Sequence, residues 1–476
     1  MDTKLIVYVF SFISLVACKT NETRKIVNDN VKKPNVIVIL LDDAGYADFG
    51  FMGSEDLETP HIDKLASNGV VFSDAHVSST VCAPSRAGLL SGTYQQRFGF
   101  EANHTGDEES GDIGLGDNVT TIATVFQKND YSTIALGKWH LGAIEHNQPN
   151  QRGFDEFYGF LDGARSYFPQ ENPNEVRMLQ KNGKRVIFEG YLTDVLTDRA
   201  LGFVEENKSN SFFMYLAYNA VHTPMQAKEE HLEKYKDHPR KVLAAMTWSV
   251  DENIGRLTSK LENLGLLENT IIYFLSDNGG PYSNGSSNGA LKGTKGNQFE
   301  GGHRVPFVMH YPSQLKGNAK FDGLTSSLDI FPTSMAAAGI QLPDSLKLDG
   351  VNLMPFVKGE EKGDPHDKLF WRKLSNAAAR IGDYKMVRLD GYGSVLYNLN
   401  DDLGEQNNLS VLEGEILEDL KIELETWEKD MIPPLWQESE EWQEVIFNIH
   451  KQLMENKPML YRNPRELRAY KKKNKS

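Results

Sequence analysis

The chain is short of cysteine, with only Cys18 and Cys82 among its 476 residues. It also lacks an excess of basic charge. Fifty-one Lys and Arg face 66 Asp and Glu, a formal net charge of −15. Such an acidic protein is ill suited to nonspecific nucleic-acid binding, and no nucleic-acid partner is expected. If its substrate is anionic, basic side chains must be gathered in one cleft against the overall field. There is no internal repeat. The apolar run Leu5 to Ala17 near the start is too short to span a bilayer and reads as the core of a signal peptide. The whole chain has 39% hydrophobic and 25% charged residues, the balance of a soluble globular enzyme long enough for a large core.

The run Leu15-Val16-Ala17-Cys18 resembles a bacterial lipobox. Residues 1–17 are then a signal peptide and Cys18 the lipidated first residue of the mature chain. Residues 18–33 form a polar tether. An ordinary signal peptide is the alternative. Either takes the protein out of the cytoplasm; the lipobox reading keeps it in the envelope, at the periplasm or the outer membrane, with the N-terminal lipid as its one membrane contact.

Val36 to Leu41 is a continuous apolar run rich in β-branched residues, as in a strand buried on both faces. Similar runs recur at 132–136, 212–218, 271–275 and 305–309. Helical patterns lie between them at 60–68, 85–90, 120–129, 194–207, 238–264 and 327–338. This alternation predicts an α/β fold with a large mixed or parallel sheet sandwiched by helices over residues 34–364. From Pro365 the texture changes to short strand candidates and one helical stretch, 413–429. That predicts a smaller α+β subdomain over 365–476, ending in a solvated basic tail, Lys471 to Lys473.

In such sheets ligands bind beyond the carboxyl ends of strands. Polar residues stand there repeatedly: Asp42 and Asp43, then Lys138 to His140, then His222, then Asp277 and Asn278. Asp42, Asp43, Asp277 and Asn278 are hard oxygen donors suited to Ca²⁺ or Mg²⁺. Either pair by itself is as well explained by a turn or a helix cap. Arg86 lies one helical turn beyond Cys82 and can face the same way. Lys138 and His140, two apart, share a face if the segment is extended.

Cys82-Ala83-Pro84-Ser85-Arg86, followed by Ala-Gly-Leu-Leu-Ser-Gly, resembles the signature of type I sulfatases, whose cysteine is oxidised to formylglycine. Three further segments resemble the same family. They are Val38 to Tyr46, Gly137-Lys138-Trp139-His140-Leu141-Gly142, and Leu275 to Gly280. The contexts of His222 and Lys295 are also similar, and the likeness runs from about Pro34 to Leu409, closest to the arylsulfatase and N-acetylgalactosamine sulfatase branch. His303, Lys292 and Thr294 depart from its commoner pattern, which bears on the substrate pocket.

The resemblance implies an alkaline-phosphatase-like fold and a sulfuric ester hydrolase acting on sulfated polysaccharide or its oligosaccharides. It implies Ca²⁺, with Mg²⁺ second, held by Asp42, Asp43, Asp277, Asn278 and an oxygen of modified Cys82. It also implies a formylglycine-generating enzyme as partner. Hydrated formylglycine would attack sulfur, with Lys138, Lys295 and His222 stabilising charge and His222 as general acid. His140 would act as base to expel sulfate, and Arg86 would orient the nucleophile. With Cys82 converted and Cys18 acylated, no intrachain disulfide is left. Residues 143–190 are expected to include pocket loops, and His104, Arg165 and His303 are the candidate sugar contacts. A phosphate or phosphonate monoester hydrolase and an inactive glycan-binding lipoprotein are the alternative functions.

Overall fold

The computed structural model describes residues 33–103 and 113–474. Cys18 and His104 lie outside the described residues, as do the segment expected to be a signal peptide and nearly all of the expected tether. The first strand, Asn35–Leu41, is wholly buried. It runs parallel to Phe212–Ala217 on one side and to Thr270–Ser276 on the other. Ser132–Lys138 and Glu156–Phe160 continue the parallel set beyond Phe212–Ala217. Phe307–His310 joins antiparallel to Thr270–Ser276. With short edge strands the sheet has ten strands and is mixed. Four of the five apolar runs read from the sequence sit side by side at its centre, and the fifth pairs at their flank.

Alternation along the first strand explains the layering. Val36, Val38 and Leu40 belong to one core cluster, with Ala83, Ala87 and Leu90 of the helix Cys82–Ser91. Ile37, Ile39 and Leu41 belong to the other, with Leu243, Met246, Val250, Ile254, Leu257 and Leu261 of the helix Lys241–Asn263. Successive side chains leave a strand on opposite faces, so an unbroken apolar run needs helices on both sides. The spacing of three and four in Lys241–Asn263 gives that helix one buried stripe.

The strands Lys368–Lys373, Asn376–Ile381, Tyr384–Leu389 and Gly393–Asn398 form a separate antiparallel meander. One face packs Phe370, Ala379, Met386 and Leu396 against Leu417, Leu420 and Leu424 of the helix Gly414–Glu428. The other packs Trp371, Val387 and Tyr397 with Phe299 of the main body. The tail is not a loose end. Glu440–Met454 and Pro464–Asn474 are helices, and Lys471 in the second pairs with Glu444 in the first. No helix among the described residues is long and apolar enough to cross a membrane.

Candidate active site

The strand-end loops are stitched to one another before any side chain is considered. The Asp42 N–H donates to Ala220 O at 2.9 Å, Val221 N–H to Asp42 O at 2.8 Å, and Asp277 N–H to Leu41 O at 2.9 Å. Asp43 turns away from the strand with φ 64°, in the left-handed region that Asp tolerates better than most residues. The result gathers Asp42, Asp43 and Asp277, all buried, beside one another.

Cys82 opens the helix Cys82–Ser91, whose ten residues are all buried. It is delivered to the carboxylates by the positive end of that helix. Its Sγ lies 3.4 Å from Asp42 Oδ1 and 3.0 Å from Lys295 Nζ. One ligand atom each from Asp42, Asp43, Cys82 and His222 falls within a 4.8 Å span. Burial and the Asp277 carboxylate push the Cys82 thiol up to about 12. A thiol held neutral in this way is a poor nucleophile.

Basic groups interleave with the acids. Lys138 Nζ sits 2.7 Å from Asp42 Oδ2, and Lys295 Nζ 2.7 Å from Asp43 Oδ1. Arg86, one turn into the helix, puts Nε 2.9 Å and Nη2 2.7 Å from Asp277 Oδ2, and Nη1 donates to Lys138 O at 3.1 Å. Burial opposes ionisation of Asp42, but Lys138, with His222, Arg86 and Lys295 behind it, holds its carboxyl well below the usual range. Asp277 goes the other way: burial and the neighbouring Asp42 push it up against Arg86 and Lys138.

These donors fit a hard cation. Asn278 Oδ1 is buried without a hydrogen-bond partner, while its Nδ2 lies 2.7 Å from Asp43 Oδ1. A buried amide carbonyl beside three carboxylates is an incomplete arrangement unless a positive ion completes it. Exchanging the amide's O and N by a half-turn would bring two oxygens together, which a cation between them makes favourable.

His222 Nε2 is 3.5 Å from Asp43 Oδ2, and its Nδ1 lies 2.6 Å from Thr223 O. A carbonyl only accepts, so Nδ1 carries hydrogen and Nε2 is the atom left for proton exchange. Tyr167 OH supports this loop by donating toward Asn219 O and His222 O, at 2.5 and 2.8 Å. His140 is buried, but the segment is not extended there: φ is 59°. Two-residue alternation from Lys138 therefore does not set its direction. The His140 N–H donates to Leu161 O at 3.0 Å, and its ring lies over Gly163, where an added Cβ would come within 2.6 Å of it.

Two expected sugar contacts lie elsewhere. His303 is fully buried, with Nδ1 2.9 Å from His76 Nδ1 and Nε2 3.0 Å from Lys385 Nζ. Its ring stacks on Trp371, centroids 4.0 Å apart. It joins the main body to the C-terminal meander, a contact between distant segments that local sequence does not display. Arg165 is also buried, between the rings of Phe160 and Phe188, and borders a separate cavity of about 30 Å³. Burial pushes it down to about 10. Sequence reasoning missed the outer cleft wall, supplied by Trp436, Trp442 and Arg462 beyond the recognised motifs.

A mixed α/β sheet with buried carboxylates, a cysteine and basic side chains gathered at its strand ends defines a hydrolase of oxyacid esters. A family model described as Sulfatase matches residues 34–340, and one described as N-sulphoglucosamine sulphohydrolase, C-terminal, matches residues 294–430. The chain belongs to the sulfatase family and is a sulfuric ester hydrolase. It is 32% identical over 436 residues to the uncharacterized sulfatase YdeN of Escherichia coli (strain K12), covering 79% of this chain and 75% of YdeN. It is 30% identical over 382 residues to the N-acetylgalactosamine-6-sulfatase of Mus musculus, covering 74% and 71%. The crystal structure of Ps i-CgsB in complex with k-i-k-neocarrahexaose superposes with a TM-score of 0.81 at 37% identity, covering 88% of this chain and 97% of that one.

Proposed function

We propose that the protein removes sulfate esters from a sulfated polysaccharide or its oligosaccharides, using formylglycine made from Cys82 and a divalent cation. The observation that carries this is the packing of Cys82 Sγ against both Asp42 and Lys295, inside a cluster of three carboxylates. The neocarrahexaose bound by Ps i-CgsB makes carrageenan-type oligosaccharides the first substrate class to test.

Asp42, Asp43, Asp277 and Asn278 would hold the cation, calcium before magnesium, which supplies Lewis-acid charge to the sulfuryl oxygens. Formylglycine at position 82, once hydrated, supplies a nucleophilic oxygen and a second hydroxyl for regenerating the aldehyde. The other steps belong to the chain's own side chains. Lys138 and Lys295 balance the carboxylates and favour an anionic ester in an acidic protein. Arg86 fixes Asp277 and the helix that carries position 82. His222 delivers a proton from Nε2 to the leaving sugar oxygen, its ring oriented by the Nδ1–H bond to Thr223. His140 takes the proton needed to release sulfate. Maturation by a formylglycine-generating enzyme and anchoring in the bacterial envelope through Cys18 belong to the same proposal.

The test is mass spectrometry of the peptide spanning Cys82, from protein made alongside a formylglycine-generating enzyme, with sulfate and phosphate esters assayed in parallel. A loss of ~18 Da at Cys82 with sulfate-ester turnover is expected. An unmodified thiol, or faster phosphate turnover, would overturn the assignment. Cys82→Ala should abolish turnover and leave the fold intact.

A further inference from the structure

A cleft of about 900 Å³ opens over the catalytic cluster, and Asp43, His222 and Lys295 line it. Much of the remaining wall comes from residues 436–466, past residue 430 where the family models stop matching. That wall is firmly held. The Ile432 N–H donates to Gln96 O at 3.1 Å, Leu435 N–H to Gly99 O at 3.0 Å, and Trp436 Nε1–H to Ala102 O at 3.0 Å. The buried Lys373 ammonium pairs with Glu438 at 2.9 Å.

Beside and on this fixed wall, three groups line the cleft with no side-chain hydrogen bond or ion pair among the described residues. Tyr282 and Trp442 are 49% and 43% exposed, so both present apolar ring surface to the cleft. Arg462 is exposed, and its guanidinium has no carboxylate partner among the described residues. It lies 5.2 Å over the Tyr282 ring. Its backbone is fixed by the Arg462 N–H bond to Glu466 Oε2 at 2.8 Å. None of the three is bonded to the Asp42–Asp43–Cys82 cluster.

We propose that Tyr282, Trp442 and Arg462 form a second sugar subsite, which holds a sulfated ring adjacent to the one that loses its ester. Aromatic faces match the C–H faces of a pyranose and are fixed by only two torsions. A planar guanidinium presents paired donors to two oxygens of one sulfate and keeps its charge at every working pH. In a chain of net charge −15, an unpaired arginine beside exposed aromatics in the catalytic cleft selects for an anionic sugar. The inference rests on the glycan sulfatase reading and deepens it, because it makes the preferred substrate at least a disaccharide with sulfate on both rings.

The test is calorimetric titration of k-i-k-neocarrahexaose into the full-length Cys82→Ala protein, with and without Arg462→Gln, Trp442→Ala or Tyr282→Ala. Each added substitution should weaken binding roughly tenfold, about 1.4 kcal/mol, and Trp442→Phe should restore most of the loss. These side chains are exposed, and unchanged thermal unfolding would show that the variants fold. The subsite is overturned if the hexasaccharide fails to bind, or if all variants bind it equally. Turnover of 4-nitrophenyl sulfate by matured protein with Cys82 intact separately judges the sulfatase reading, since it needs no second ring.

Discussion

Replacing Arg86 with methionine removes a charge that the carboxylate cluster depends on while keeping much of the side-chain volume. Arg86 is fully buried; its Nε donates to Asp277 Oδ2 at 2.9 Å, Nη2 makes an ion-pair contact with the same oxygen at 2.7 Å, Asp42 lies at 3.8 Å, and the Lys138 carbonyl accepts at 3.1 Å. An exposed pair of this kind would be worth about 0–1 kcal/mol. Here the loss strands Asp277, which has no exposed surface of its own, beside Asp42 and Asp43. Breaking a buried pair from one side costs about 3–5 kcal/mol. At about 2 °C per kcal/mol for a large domain, the unfolding midpoint should fall by roughly 6–10 °C. The assay is thermal unfolding of wild type and Arg86→Met at one scan rate, in chelator and in millimolar calcium. The variant's site is one charge more negative, so calcium should stabilise it more than the wild type and narrow the gap. A midpoint shift below about 2 °C in chelator would refute the burial reasoning, and a gap that widens with calcium would refute the cation site.

His222→Ala should cost on the order of a hundredfold or more on sugar and alkyl sulfates and far less on 4-nitrophenyl sulfate, whose leaving group needs no acid; steady-state rates on both would show it, and equal losses would count against the proton donor. Gly163→Ala puts a methyl within 2.6 Å of the His140 ring, so turnover should fall roughly ten- to a hundredfold with circular dichroism unchanged. An unaffected rate would remove His140 from the reaction. His366 Nε2 lies 2.7 Å from Asp329 Oδ1, and although burial opposes its charge, Asp329 raises it above the usual imidazole value. A group raised on folding stabilises fully below its unfolded value near 6.5, and that stabilisation fades as pH climbs through the folded value. His366→Gln should therefore cost about 1.5–3 kcal/mol at pH 5.5 and clearly less at pH 9, measured by urea unfolding; the opposite order would refute the pairing.

The central strands were legible because each is an unbroken apolar run ending in a polar residue, a pattern that survives without knowledge of its neighbours. The run beginning at Val36 is found at 35–41, and that beginning at Ile271 at 270–276. The main helices were legible from periodicity, although the one read as 85–90 starts at Cys82 itself. Three-residue edge strands such as Val70–Phe72 carry too little pattern to be seen. The gathering of Asp42, Cys82, Lys138, Asp277 and Lys295 could be anticipated from strand ends and motif context. His303 and Arg165 could not be placed, because their surroundings come from Trp371, Lys385 and Phe188, far away in sequence. The helices after residue 430 were hidden by a charged, aromatic-spotted composition that reads as tail until something is seen to lie beneath it.

The buried link between main body and meander bears on how such enzymes can be recombined. Lys385 of the meander sits 2.9 Å from both Glu300 and Glu405, and Glu405 in turn accepts from the Glu300 N–H and, through its carbonyl, from Lys292 Nζ. Lys292 and Glu300 bracket the loop that carries Lys295. A chimera that took the first 364 residues from this chain and the remainder from a relative lacking Lys385 or Glu405 would leave mismatched charges under that loop. Domain shuffling here would be felt first at Lys295, so an exchange of the C-terminal part has to carry Lys385 and Glu405 with it.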